Sequence, residues 1–189
     1  MMDAGHHSSY VVYRLIQFFT DLVLLREKPQ NLPPSTALLG LVAVLYVALN
    51  TVHMHGVFPT PWHDFGISLA DLCTILTAVW LLLALKGLKA RWLQAVTALV
   101  GGGVVIVLLA IPLSFAIGKG GALTPVAEFA MLLYWMLIVW NQIFIGHVLR
   151  HALGISLLAG IGLGLLYTML SGLVLQSLFG PPLAAGSGS

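Results

Sequence analysis

The chain has 189 residues, of which 59% are hydrophobic and 7% charged, and its mean hydropathy is +1.01. A soluble domain carries about 25% charged residues. This chain has too few to cover a water-facing surface, which excludes a soluble globular protein and leaves an integral membrane protein with room for roughly five spans. Eight Lys and Arg against six Asp and Glu make too small an excess to indicate nucleic acid, and Cys73, the one cysteine, excludes an internal disulfide or a paired-cysteine metal motif.

Residues 1–9 are polar and expected to be loose. The start "MMDAGHHSSYVVYR" has no short apolar core ending at a small-residue cleavage site, so it is not expected to be a signal peptide, and the first span is expected to act as the insertion signal. Tyr10 to Lys28 then places Val12, Leu15, Ile16, Phe19, Leu22 and Val23 at helical spacing, with Arg14, Gln17 and Asp21 on the other side. One apolar face with charges opposite predicts an amphipathic helix that lies in the membrane interface or packs on the bundle. Crossing would bring Arg14 and Asp21 to membrane depth. "PQNLPPS" breaks this helix, and Ser35 or Thr36 can cap the next.

Five apolar segments follow: Thr36 to His53, Ile67 to Leu88, Trp92 to Ile117, Pro125 to Leu149 and Ala152 to Phe179. Each is long enough to cross ~30 Å of hydrocarbon at 1.5 Å per residue. The predicted fold is an all-α polytopic transmembrane bundle of five spans plus an N-terminal amphipathic interfacial helix. Residues 1–35 form the cytoplasmic tail and amphipathic helix, 36–179 the transmembrane domain, and 180–189, "GPPLAAGSGS" from Gly180, a disordered tail. Arg14, Arg26, Lys28, Lys86, Lys89, Arg91 and Arg150 fall on one side of this arrangement and Lys119 on the other. Cytoplasmic loops hold the excess of Lys and Arg. The expectation is therefore a cell inner-membrane protein with its N-terminus cytoplasmic and its C-terminus periplasmic.

Two spans carry small residues in line. In the fifth, Ala152, Ser156, Gly160, Gly164, Thr168 and Gly172 repeat at i, i+4; in the third, Ala98, Gly102, Ala110, Ser114 and Gly118 nearly do, with Ile106 interrupting. Such spacing lets helix backbones approach closely in lipid, within the bundle or as a homodimer seam. The run "GGG" at 101–103 is expected to soften the third span and Pro112 to kink it.

The stretch "NTVHMHGVFPTPWHDF", Asn50 to Phe65, concentrates His53, His55, His63 and Asp64 at the outer end. Imidazole with carboxylate suits zinc, and imidazole with thioether suits copper. Yet His53 and His55 diverge on a continuous helix and no thiolate is present, so a structural polar loop is expected rather than a tight metal site, and no cofactor is implied. Asp71 and Glu128 are placed in the first turn or two of the second and fourth spans, where the helix dipole favours a negative charge. Grouped with His53, His55 and Thr74 they would make a protonatable external cluster. Asn141 or Gln142 is expected to hydrogen-bond across to another helix, and His147 and His151, flanking Arg150, to contact lipid headgroups. No catalytic constellation appears: Ser114, Ser156 and Ser171 have no His and Asp partners at matching depth.

The lead-in "FFTDLVLLREKPQNLPPS" and the Gly-rich later spans, with almost no loops between spans, resemble the bacterial members of the Yip-domain family of small polytopic membrane proteins. The acidic Gly-Pro motif of the eukaryotic members is absent. The resemblance implies a non-enzymatic, membrane-organising role and assigns no functional residue. The expected function is a scaffold, assembly or organising factor whose partners are the lipid bilayer and other membrane proteins or a second copy. The alternative is a small transporter or metal-handling protein using His53, His55, His63, Asp64, Asp71 and Glu128.

Overall fold

Four of the helices begin where a hydroxyl residue precedes an apolar run. Ser35 Oγ accepts from the Leu38 amide at 3.2 Å, Thr60 Oγ1 from that of His63 at 3.4 Å, Thr124 Oγ1 from that of Ala127 at 3.2 Å and Ser156 Oγ from that of Ala159 at 3.2 Å. Each satisfies an N–H that a first helical turn leaves without an intrahelical partner. The computed structural model describes residues 4–55, 60–118 and 124–180, and these are all-helical, with no strand among them. The helices are α1 (Ala4–Val23), α2 (Thr36–His53), α3 (Pro61–Leu85), α4 (Trp92–Ile117), α5 (Pro125–Leu153) and α6 (Leu157–Phe179), with short 3-10 turns at Pro29–Asn31 and Lys89–Arg91. The five from α2 to α6 are long and apolar enough to cross a membrane.

Six boundaries differ from the sequence expectation, the smallest being the end of the second span at Leu85 rather than Leu88. The first helix starts at Ala4, inside the stretch expected to be loose, and ends at Val23 because Leu25 takes a left-handed φ of 62° and turns the chain. The second span begins at Pro61, six residues early, since Thr60 caps it and Pro61 suits a first helical turn. The fourth continues to Leu153, where Gly154 at φ 67° closes it, its amide bonding to the Arg150 carbonyl at 2.9 Å. The fifth therefore begins at Leu157. Ala152 belongs to α5, and Ser156 is a cap rather than a packing residue on the last helix.

The core is built around α4, whose apolar window is 56% buried against 17% for α5 and for α6. The glycine run at 101–103 explains how. A Cβ at Gly101 would collide with the Phe19 ring of α1, at Gly102 with the Phe144 ring of α5, and at Gly103 would lie 2.8 Å from the Tyr46 ring of α2. The run makes three sockets on one turn, each for an aromatic from a different helix. Leu22 and Val23 of α1 are buried with Phe19, so the C-terminal half of that helix is part of the core, whereas Tyr10, Val12, Tyr13 and Ile16 are exposed. At the α5–α6 contact backbone meets backbone. A Cβ on Gly160 would strike the Gly146 carbonyl, one on Gly146 would lie 2.8 Å from the Ile161 nitrogen, and one on Gly164 would lie 2.9 Å from the Ile145 side chain. Of the same line of small residues, Gly172 meets nothing within 4 Å.

Candidate functional site

The basic loops gather at one end, and side chains bond them to backbone carbonyls. His147 is buried, and its Nε2 donates to the Glu27 carbonyl at 2.8 Å. Gln30 donates to the His151 carbonyl at 2.8 Å, Gln94 to that of Leu32 at 2.7 Å, Arg91 to that of Ala152 at 3.2 Å and Trp140 to that of Val23 at 3.0 Å. His147 is therefore a structural tie inside the protein, which corrects its expected place at the lipid headgroups. Its ring packs edge-on against that of His151, 4.7 Å between centroids.

At the opposite end the expected histidine cluster divides. His53 sits between α4 and α5: its Nε2 lies 3.1 Å from Tyr134 Oη and its Nδ1 3.5 Å from Ser114 Oγ. Ser114 already donates to the Ile111 carbonyl at 2.8 Å, so its oxygen is free to accept from Nδ1, which leaves Nε2 to accept from Tyr134. His55 Nδ1 is 3.8 Å from Asp64 Oδ2, and His63 Nδ1 is 2.7 Å from Thr60 Oγ1. Thr74 is turned to the Ala70 carbonyl of its own helix, and Glu128 stands in the first turn of α5 as expected. Among the described residues no three His, Cys, Asp or Glu side chains are grouped to hold a metal ion. Lys119 lies outside the described residues.

Asp71 is where the structure departs most from the sequence reading. Because α3 starts at Pro61, Asp71 lies ten residues in, about 15 Å along the axis at 1.5 Å per residue. That is near the middle of the span and beyond the first turns where a helix dipole acts. Tyr46 of α2 donates to its Oδ2 at 2.6 Å; Tyr167 and Ser171 of α6, one turn apart, donate to its Oδ1 at 3.3 and 3.4 Å. Among the described residues no histidine is its partner. Asp64, Ser68 and Asp71 stand at i, i+4 and i+7, one face of α3. Asp64 is 1% exposed and its Oδ1 has no hydrogen-bond partner among the described residues; nor has Asn50 Nδ2, one turn after Tyr46 on α2.

Asp71 heads a cavity of about 320 Å³ between α3 and the α5–α6 pair, where α3 touches α5 little. Its polar lining is Tyr46, Asp71, Asn141, Tyr167, Thr168 and Ser171; the walls are apolar, with Ile75, Val79, Leu99, Phe144 and Leu175 prominent. Gln142, beside it, bonds across to Thr168 at 3.0 Å, the interhelical link expected of Asn141 or Gln142. Sequence reasoning placed Asp71 too shallow and missed Tyr46 and Tyr167. The signal for the depth was present in Thr60-Pro61 with Asp64 in the first turn, the pattern of a helix start. The hydroxyl partners come from separate helices, and spacing within one segment cannot pair them. Compared with protein-family models, curated proteins and solved structures, the chain matches none.

Proposed function

We propose that this is a multi-pass membrane protein that binds a small solute in the pocket headed by Asp71, as a small transporter or membrane receptor does. The observation that carries the reading is an acid at mid-span depth that opens onto a cavity. A carboxyl group inside a membrane is expensive and functional by default. Hydroxyls alone would link α2, α3 and α6, so the carboxyl adds a cost that a purely structural contact does not need. A pocket with apolar walls and a few convergent polar groups is the form that small-molecule sites take. The site differs from the outer histidine cluster first expected of a transporter: the acid is shared, the histidines are not. In this reading the basic end faces the cytoplasm and, in a bacterium, the membrane is the inner one. Reporter fusions at Met1, at Pro59 and after Phe179 check the orientation.

The test of the pocket uses Ala78, which lines it, and Gly172, where a side chain meets open space. In a Cys73→Ser background, Ala78→Cys in lipid nanodiscs is expected to react with neutral methyl methanethiosulfonate. Adding Gly172→Phe, which fills the cavity, is expected to slow that reaction at least tenfold. A cysteine at 78 that never reacts, or one indifferent to Gly172→Phe, overturns the reading.

A second reading, the membrane-organising role that the Yip-like lead-in implies, is favoured by one observation: the exposed Tyr10, Val12, Tyr13 and Ile16 on the N-terminal half of α1. Such a surface suits the membrane interface. Replacing Val12 and Ile16 with Glu is expected to release α1 from lipid without disturbing the pocket, read by fluorescence quenching of a probe on this helix with lipid-borne quenchers. Unchanged quenching counts against this second role.

A further inference from the structure

The pocket's charge is one-sided. Among the described residues Asp71 is the only charged one in its lining, and no Lys, Arg or His is among the others. Tyr46, Tyr167 and Ser171 all direct their hydroxyl protons to Asp71, so toward a third group they offer only lone pairs. The head of the pocket therefore presents a carboxylate ringed by acceptors, which favours donors and cations and repels anions. Three aromatic rings, those of Tyr46, Phe144 and Tyr167, belong to the same lining; a cation over such a face gains from the ring quadrupole, most of all where water is excluded. The other walls are hydrocarbon. A divalent metal ion is a poor match, because one carboxylate is the only charged ligand and no three-residue ligand group exists among the described residues.

We propose that the Asp71 pocket takes a monovalent organic cation, an amine or quaternary ammonium group carried on a small apolar body. The inference rests on the reading of the pocket as a solute site and names the class of solute. The carboxylate supplies the opposite charge, the rings supply a second attraction that needs no hydrogen bond, and the aliphatic walls receive the body. A cation also offsets the cost of holding the carboxylate at this depth, so ligand and site each reduce the other's cost of burial.

The experiment uses the full chain in nanodiscs, with Cys73→Ser and Ala78→Cys, and three methanethiosulfonate reagents: neutral methyl, cationic trimethylammonium-ethyl and anionic sulfonatoethyl. Each rate is divided by that of the same reagent with a simple free thiol. The expected result is a normalised preference for the cationic over the anionic reagent of at least tenfold, lost in Asp71→Asn. Benzyltrimethylammonium is expected to slow the neutral reagent in the parent and to lose that effect in Asp71→Asn. Equal normalised rates for the two charged reagents, with the neutral one reacting, overturn the cation class and leave the pocket standing. Protection by benzyltrimethylammonium that is equal with and without Asp71 does the same. If not even the neutral reagent reacts, the pocket reading fails and the cation class with it. The charge ratio is measured on the parent, so it decides the matter even where Asp71→Asn does not fold.

Discussion

The basic end of the bundle and the Asp71 region put their polar side chains to opposite uses. At the basic end, His147, Gln30, Gln94, Arg91 and Trp140 each reach a backbone carbonyl in a distant segment. Neither the last turn of a helix nor a loop satisfies all its carbonyls internally, and near lipid an unsatisfied one costs several kcal/mol, on the order of that for any bare polar group in hydrocarbon. Those side chains close that account and tie α1 to α4 and α5. Around Asp71 the helices need no such help, because their backbone groups are already paired. Yet this is where a carboxyl group and a cavity lie, and nearer the ends of the same two helices α2 and α3 the Asn50 Nδ2 and Asp64 Oδ1 atoms have no hydrogen-bond partner among the described residues. Local rules are broken where they are not needed for folding, which is the expected mark of a functional region.

The largest way to break that comparison is to attack the glycine contact that holds α6 in place. Gly160→Leu puts a side chain into the Gly146 carbonyl, backbone against backbone, with no flexible atom to yield. The expected loss is about 3 kcal/mol, the upper part of the range for overpacking, read as earlier unfolding on heating in detergent. A variant as stable as the parent would mean that α6 does not sit on α5. Next comes His147→Ala, which leaves the half-buried Glu27 carbonyl without its donor. A cost of about 1–2 kcal/mol is expected, together with faster proteolysis near residues 24–31, because the tie to α1 is lost. Unchanged proteolysis would show that the remaining ties suffice.

How much of this was legible in the sequence follows from range. The spans were, because a run of apolar residues is a local property; two of the five, Thr36–His53 and Trp92–Ile117, match residue for residue. The end at Phe179 was legible through its Gly-Pro sequel, and the interhelical bond of Gln142 through the oddity of an amide among apolar neighbours. What failed needed two segments at once. The three glycines read as a soft spot because their partners Phe19, Phe144 and Tyr46 lie on three other helices. Gly146 carried no signal, being alone on its face of α5, although it is the residue on which Gly160 closes. His147 looked like a surface base beside Arg150 until the turn after α1 folded over it.

A smaller effect is expected from Asp71→Asn. The amide keeps the shape and one acceptor for the surrounding hydroxyls while removing the charge. If the acid serves a solute, unfolding should stay within about 1 kcal/mol of the parent, since an amide is less costly to hold in hydrocarbon than a carboxylate. Protection of Ala78→Cys by benzyltrimethylammonium should vanish all the same. Loss of several kcal/mol would instead make Asp71 a strut between α2 and α6, and the contrast between the two regions would collapse.

The smallest expected effect is the sharpest control, because it uses the same residue type on the same helix. Gly160 and Gly172 are both members of the line of small residues that sequence alone could not divide. In the structure the first is buried against the backbone of α5 and the second is exposed, with no heavy atom within 4 Å of where its Cβ would be. Gly172→Leu should therefore change stability by no more than about 1 kcal/mol. Any change should be toward greater stability, because leucine is the better helix former by close to 1 kcal/mol. It also narrows the cavity that Gly172 lines, so the neutral thiol reagent should reach Ala78→Cys more slowly, though less so than with Gly172→Phe. The two readouts point in different directions for a reason. Stability depends on what the new side chain strikes, and access depends on what it fills. A Gly172→Leu protein that unfolds as readily as Gly160→Leu would mean that the whole line packs against a neighbour. In that case the space beside Asp71 would be closed in the membrane.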